Sequence, residues 1–171
     1  MAVSLHATHG SRRRHQRINL GSAIAAGVVA TIAATIVLII AQASHLMDMN
    51  LPAIYGAMVS SPSNNPHYAG VVIDLVIGGL VGIVYAAVYM WTNTAPNWLN
   101  GLGFGFIHWL IAGFLFGLAP GVPAWSISAP GMFVVNYGTV AIIGYLILHL
   151  IYGMVVGAAY RPKADTLVAL K

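Results

Sequence analysis

The chain has 171 residues, of which 59% are hydrophobic and only 6% are Asp, Glu, Lys or Arg, against the roughly 25% charged residues of soluble domains. This composition excludes an ordinary water-soluble domain. The basic residues stand only at the two ends, Arg12, Arg13, Arg14 and Arg17 near the start and Arg161, Lys163 and Lys171 at the close, so a net charge of +4 marks topology rather than a nucleic-acid-binding face.

Residues 1–19 form a basic polar tail that includes His6, His9 and His15. The first apolar span covers 20–43. The basic stretch before it and Ala41-Gln-Ala43 after it resemble a signal peptide, but its apolar run exceeds the roughly 7–15 residues of a signal-peptide core, so it is expected to be retained. A connector over 45–68, rich in Pro, Ser, Asn and Met, carries the loop signal Ser61-Pro-Ser-Asn-Asn-Pro66. The second span, 69–90, ends on Tyr89 and Trp91 as interfacial anchors. A tight turn over 92–97 leads to the third span, 99–118. A second long connector, with Trp125, Pro130 and Phe133, is expected to lie at the interface, and the fourth span, 139–160, is closed by Arg161-Pro162 and a tail over 161–171.

Spans of about 20 apolar residues are the length that crosses a bilayer. The expected class is therefore an all-α integral membrane four-helix bundle. Positive residues flank only the first and last spans, which predicts a multi-pass protein with both termini in the cytoplasm. The expected partners are the lipid bilayer and either further copies of the chain or a larger membrane complex, with no nucleic acid.

Laid on one another at an offset of 75, Asp74-Leu-Val-Ile-Gly-Gly-Leu-Val-Gly-Ile-Val-Tyr85 and His149-Leu-Ile-Tyr-Gly-Met-Val-Val-Gly-Ala-Ala-Tyr160 share five of twelve positions. This match suggests two parallel helix-hairpin repeats. Asp74, Gly78 and Gly82 share one helix face, as do His149, Gly153 and Gly157. Small-xxx-small faces are where membrane helices approach most closely. The second and fourth spans are therefore expected to cross on these glycines and to bring Asp74 to His149. Similar small-residue rows occur at Ala26, Ala30 and Ala34 and at Gly113 and Gly117. His108, about 14 Å along the third span, is placed in the same layer.

A carboxylate in hydrocarbon costs on the order of 3 kcal/mol and needs a partner. Three readings of the layer Asp74, His108 and His149 follow. It is a buried cluster, with Tyr145 or Tyr152, that fixes helix register in a structural or accessory subunit, which is the favoured reading. It is the pathway of a small proton- or ion-coupled transport element. Or His108 and His149 are axial ligands in a haem- or quinone-associated redox subunit.

No metal site and no cofactor is predicted. His45, Met47, Asp48 and Met49 have soft-ligand character suited to copper(I), but an interfacial segment whose methionines dip into lipid is preferred. With no cysteine, no glutamate, no P-loop and no H-E-x-x-H, enzymatic activity is not expected; a Ser-His-Asp arrangement would need Asp48 or Asp74 near a serine such as Ser128.

The run from His149 to Tyr160, the pieces Ala129-Pro-Gly131 and Asn136-Tyr-Gly138, and the Gly-rich third span resemble small uncharacterised bacterial four-span membrane proteins of the YagU-like, domain-of-unknown-function type. The resemblance implies a topology over about residues 20–160, a bacterial inner membrane as the expected location, and no established activity. It also implies a histidine in the second span, where this chain has Asp74, which weakens a shared metal or haem role.

Overall fold

The computed structural model describes residues 16–59, 65–119, 121 and 128–164. The tail through His15, the centre of the Ser61-Pro-Ser-Asn-Asn-Pro66 signal, Trp125 and the C-terminal residues from Asp165 lie outside them. In chain order the elements are β1 (Gln16–Arg17), α1 (Leu20–Ala43), α2 (Leu51–Val59), α3 (Pro66–Trp91), α4 (Trp98–Phe116), a 3-10 turn (Met132–Tyr137), α5 (Thr139–Ala159) and β2 (Lys163–Ala164). The helices α1, α3, α4 and α5 have 24, 26, 19 and 21 residues and are long and apolar enough to cross a membrane. Their outward faces carry Ile36, Val72, Leu80, Ile111 and Ile143 in the open, a surface in keeping with a membrane protein.

Asparagine starts three of the four long helices, while α5 starts at Gly138 with no side-chain cap. Asn19, Asn65 and Asn97 cap α1, α3 and α4 by accepting from Ser22, His67 and Asn100 backbone N–H groups at 3.3, 2.9 and 2.9 Å, satisfying donors that the first turn leaves unpaired. Pro66 follows the Asn65 cap, where its fixed φ suits a helix start. Both α1 and α3 stop in the same way. His45 and Asn93 adopt left-handed φ of 53° and 54°, and the next residues, Leu46 and Thr94, donate to the carbonyls of Ala41 and Tyr89 at 2.9 and 3.0 Å.

The helix α2 lies inside the segment expected to be a connector. Asn50 Oδ1 accepts from Ala53 N at 2.9 Å and Pro52 stands in the first turn, so the local signals for a helix start are present in the sequence. It lies on the first turns of α3, because a Cβ at Gly56 would strike the Pro66 carbonyl and one at Gly70 the Pro52 carbonyl. The methionines ahead of it are buried rather than turned to lipid: Met47 is 5% and Met49 0% exposed, in a cluster with Leu38, Ile54, Val134, Tyr145 and Leu148. Methionine suits such an irregular gap because its unbranched chain adapts to it.

The helices pair by hairpin. In the first hairpin, Gly27 of α1 faces the carbonyl of Gly78, and a Cβ at Gly82 would strike the carbonyl of Ala23. In the second, Gly101 and Gly105 of α4 lie against Gly153 of α5 and the carbonyl of His149, while Gly157 lies against the carbonyl of Asn97. Contrary to the crossing expected from the sequence spacing, the glycine faces of the second and fourth spans therefore do not meet each other. Each crosses the other helix of its own hairpin. The decisive small row on α4 is Gly101 and Gly105; Gly113 and Gly117 instead receive the Phe133 ring and the Met132 side chain of the 3-10 turn.

The hairpins join where α1 packs on α5. At one end, called here the terminal end, Ala23, Ala26 and Ala30 meet Tyr85, Tyr89, Tyr152, Val156 and Tyr160. There β1 and β2 pair antiparallel, Gln16 opposite Ala164 and Arg17 opposite Lys163, so the segments flanking the bundle leave it together. The opposite, loop end holds the α2 cluster and the 3-10 turn. In that turn Phe133 and Val134 take left-handed φ of 51° and 59°, which costs roughly 1–2 kcal/mol per side-chain-bearing residue. Complete burial of Val134 and the fit of the Phe133 ring over Gly113 offset that cost. The Asn136 side chain donates to the Ala129 carbonyl at 2.8 Å, which ties the two short motifs of this connector together.

Gly82→Ala should destabilise the protein by about 1–3 kcal/mol, since its methyl group meets backbone that cannot turn aside. Gly103→Ala, which meets nothing within 4 Å, is the matched control and should be neutral or slightly stabilising. Unfolding in detergent micelles followed by circular dichroism compares the two, and equal stabilities would contradict the crossing.

Candidate functional site

Between the terminal-end and loop-end clusters the two hairpins do not fill the space between them. A cavity of about 290 Å³ remains there. One wall belongs to the first hairpin: Thr31 and Thr35 of α1, with Asp74, Ile77, Gly78 and Val81 of α3. The facing wall belongs to the second: His108, Ala112 and Phe116 of α4, with Tyr145, His149 and Tyr152 of α5. Leu51 and Tyr55 of α2 contribute at the loop end.

Asp74 is half-buried and accepts one hydrogen bond, from Thr35 Oγ1 to its Oδ2 at 3.2 Å. Thr31, one turn earlier on α1, donates its hydroxyl to the Gly27 carbonyl of its own helix at 3.0 Å, so among the described residues Thr35 alone serves the carboxylate. No ion pair joins Asp74 to His149 among the described residues; the expected pairing is replaced by two walls that share one cavity. A shared small-residue face says that a helix is approached closely, and not by which neighbour.

On the facing wall the two histidines touch. The rings of His108 and His149 are 4.6 Å apart at 71°, edge to face. His149 Nδ1 lies 2.8 Å from the carbonyl of Tyr145. A carbonyl only accepts, so Nδ1 carries the proton and Nε2 keeps its lone pair in the neutral ring. His108 Nδ1 lies 3.4 Å from Tyr85 Oη. The histidines belong to an aromatic column along the bundle: Tyr55 meets Phe116, Phe116 meets Tyr145, Tyr145 meets His149, and His108 meets Tyr85 and Tyr152. Tyr152 Oη donates to the Gly78 carbonyl at 2.5 Å, a side-chain hydrogen bond that links α5 to α3.

Sequence reasoning missed Thr35 and Tyr55. The first had a usable signal, since Gly27, Thr31 and Thr35 recur every four residues on one face of α1. Tyr55 had none in a segment read as a loop. Its phenol is pushed well above the usual tyrosine range, first by burial and then by the charge of Asp74, so it remains a hydrogen-bond donor at neutral pH.

Ligation of a haem iron by two histidines requires them on opposite faces of one macrocycle. Imidazoles in mutual contact leave no slot for it, so the donor pair does not fit haem. Among the described residues no group of three or more His, Cys, Asp and Glu is arranged to hold a metal ion. The copper(I) alternative also lacks its geometry: His45 ends α1 in the open, while Met47 turns inward against Gly144 and Met49 is wholly buried.

A family of unknown function, DUF6789, matches residues 18–166, which takes in all five helices and both walls of the cavity. The chain belongs to the DUF6789 family. That match carries no link to YagU-like proteins and gives no activity. No curated protein and no solved structure matches the chain. For this DUF6789 member, then, chemistry has to be argued from the cavity itself.

Tyr152→Phe should cost about 1 kcal/mol of stability, the net worth of a hydrogen bond, by removing the contact with Gly78. Nitrogen-15 NMR of histidine-labelled protein should report His149 as the Nδ1–H tautomer. An Nε2–H signal would contradict the Tyr145 contact.

Proposed function

We propose that this DUF6789 chain is a small multi-pass membrane protein that binds a solute within its bundle and couples its passage to proton or ion movement. One observation carries the reading: Asp74 faces an open cavity at the level where four apolar helices surround it, with a single hydroxyl as its hydrogen-bond partner among the described residues. An ionisable group at such a depth is costly and marks substrate or proton routes in membrane proteins. The favoured sequence reading, a structural layer, placed Asp74 in a buried cluster with His108, His149 and Tyr145 or Tyr152. With Thr35 as its partner instead, the carboxylate keeps acceptor capacity directed at the cavity.

In this reading Asp74 alternates between holding a proton and holding the solute. Thr35 orients the carboxylate. The Nε2 lone pair of His149 and the ring of His108 offer a second proton acceptor on the facing wall, and Tyr152 keeps the hairpins in register through Gly78. The basic residues at the two ends support placing both termini in the cytoplasm of a bacterial inner membrane. No catalytic step belongs to the proposal. A redox role is disfavoured by the contact of the two imidazoles.

In proteoliposomes carrying an imposed pH gradient, wild-type protein should produce proton flux above that of protein-free vesicles. Asp74→Asn should abolish it, and His149→Ala should reduce it at least about tenfold, while circular dichroism shows the helices intact. Absence of flux in wild type, or full flux in Asp74→Asn, would return the layer to a purely structural role.

A further inference from the structure

Resting on the reading of the cavity as a solute site, we infer that its ligand is a lipophilic organic cation, a protonated amine or quaternary ammonium with an apolar body, admitted sideways through the seam between α3 and α4. Among the described residues the cavity offers one carboxylate, and that carboxylate accepts one hydrogen bond where an ionised group has room for about four. The opposite wall is aromatic, with Tyr55, Phe116, Tyr145 and Tyr152 all lining the space. A carboxylate facing π-systems suits an organic cation, which gains from the ring faces and needs no dense oxygen cage. A bare metal cation would need several oxygen ligands at once, and no such group of acids and histidines exists among the described residues. An anion would be repelled by Asp74.

The route follows from packing. The pairs α1 with α3, α4 with α5 and α1 with α5 are in close contact, whereas α3 meets α4 mainly through the rings of Tyr85, Tyr89, Phe104 and His108 towards the terminal end. Above those rings, Ile77 of α3 and Leu115 of α4 both line the cavity and stand 39% and 60% exposed on the outer surface. A residue that does both marks a mouth. Both side chains are apolar, so the mouth opens to the medium that bathes the apolar helix faces. The water-facing ends are blocked, by buried Tyr89 and Tyr160 at one and by Met49, Ile54 and Val134 at the other. At about 290 Å³ the cavity lies near the lower limit of small-molecule pockets, which favours a compact amine with one ring over an extended lipid.

The test uses benzyltrimethylammonium and its neutral carbon isostere neopentylbenzene, in equilibrium dialysis against the full chain in lipid nanodiscs. Saturable binding of one cation per chain is expected, with the isostere bound at least about tenfold more weakly. Asp74→Asn should weaken the cation by a similar factor, and Tyr55→Leu, which lies outside the long helices, by several-fold. Leu115→Trp should slow association, and Gly103→Ala should leave it unchanged. Equal affinity for cation and isostere, no saturable binding by wild type, or unchanged binding by both Asp74→Asn and Tyr55→Leu would overturn the inference. If the cation fails to bind while Asp74-dependent proton flux persists, the ligand class is wrong and the transport reading stands. Asp74-dependent cation binding without flux in wild type would leave the ligand class standing and remove transport.

Discussion

Within each hairpin two helix backbones come into direct contact because glycine leaves no side chain between them: Gly27 with Gly78 and Gly82 in the first, Gly101 and Gly105 with Gly153 and Gly157 in the second. Where no water is present to drive apolar surfaces together, close dispersion contact of this kind is a main source of helix association. It fixes the hairpins as two narrow slabs. Larger side chains are then confined to the space between the slabs, where tyrosines, histidines and methionines meet. A shape assembled from two narrow pieces and a few large rings does not tile, and the cavity is the remainder.

The positions of the long helices were legible because apolar length and terminal charge are local properties, and the starts of α1, α3 and α4 are written in asparagines that any reading of caps can find. The choice of neighbour was not legible. Asp74, Gly78 and Gly82 do share a face, yet Gly27 and Thr31 on α1 compete for it with Gly153 on α5, and periodicity alone cannot rank the two. The resemblance between the second and fourth spans pointed to what they have in common, which is the way each meets the other helix of its hairpin rather than a contact between them. The helix α2 went unseen because it sits in a connector rich in Pro, Ser, Asn and Met, although Asn50 and Pro52 are sound start signals.

Of the candidate site, the three ionisable members could be named from sequence because charge and imidazole are rare in apolar helices. Their arrangement could not be. Asp74 is satisfied by a threonine whose hydroxyl looks ordinary in a row of alanines and isoleucines, and the aromatic wall gathers side chains from α2, α4 and α5 that are far apart in the chain. Apolar composition hides such a wall, since a tyrosine that lines a cavity and one that anchors an interface read alike.

The pairing of β1 with β2 has a consequence in time. Arg161 donates its backbone N–H to the hydroxyl of Ser22 at 2.8 Å, and the two residues are 139 positions apart. This closure waits for the last helix to be made. Until then the first hairpin holds together through its own glycines while Tyr160, which will cover the base of α1, does not yet exist as a neighbour. The cavity therefore lacks its floor until the segment after α5 pairs with the segment before α1.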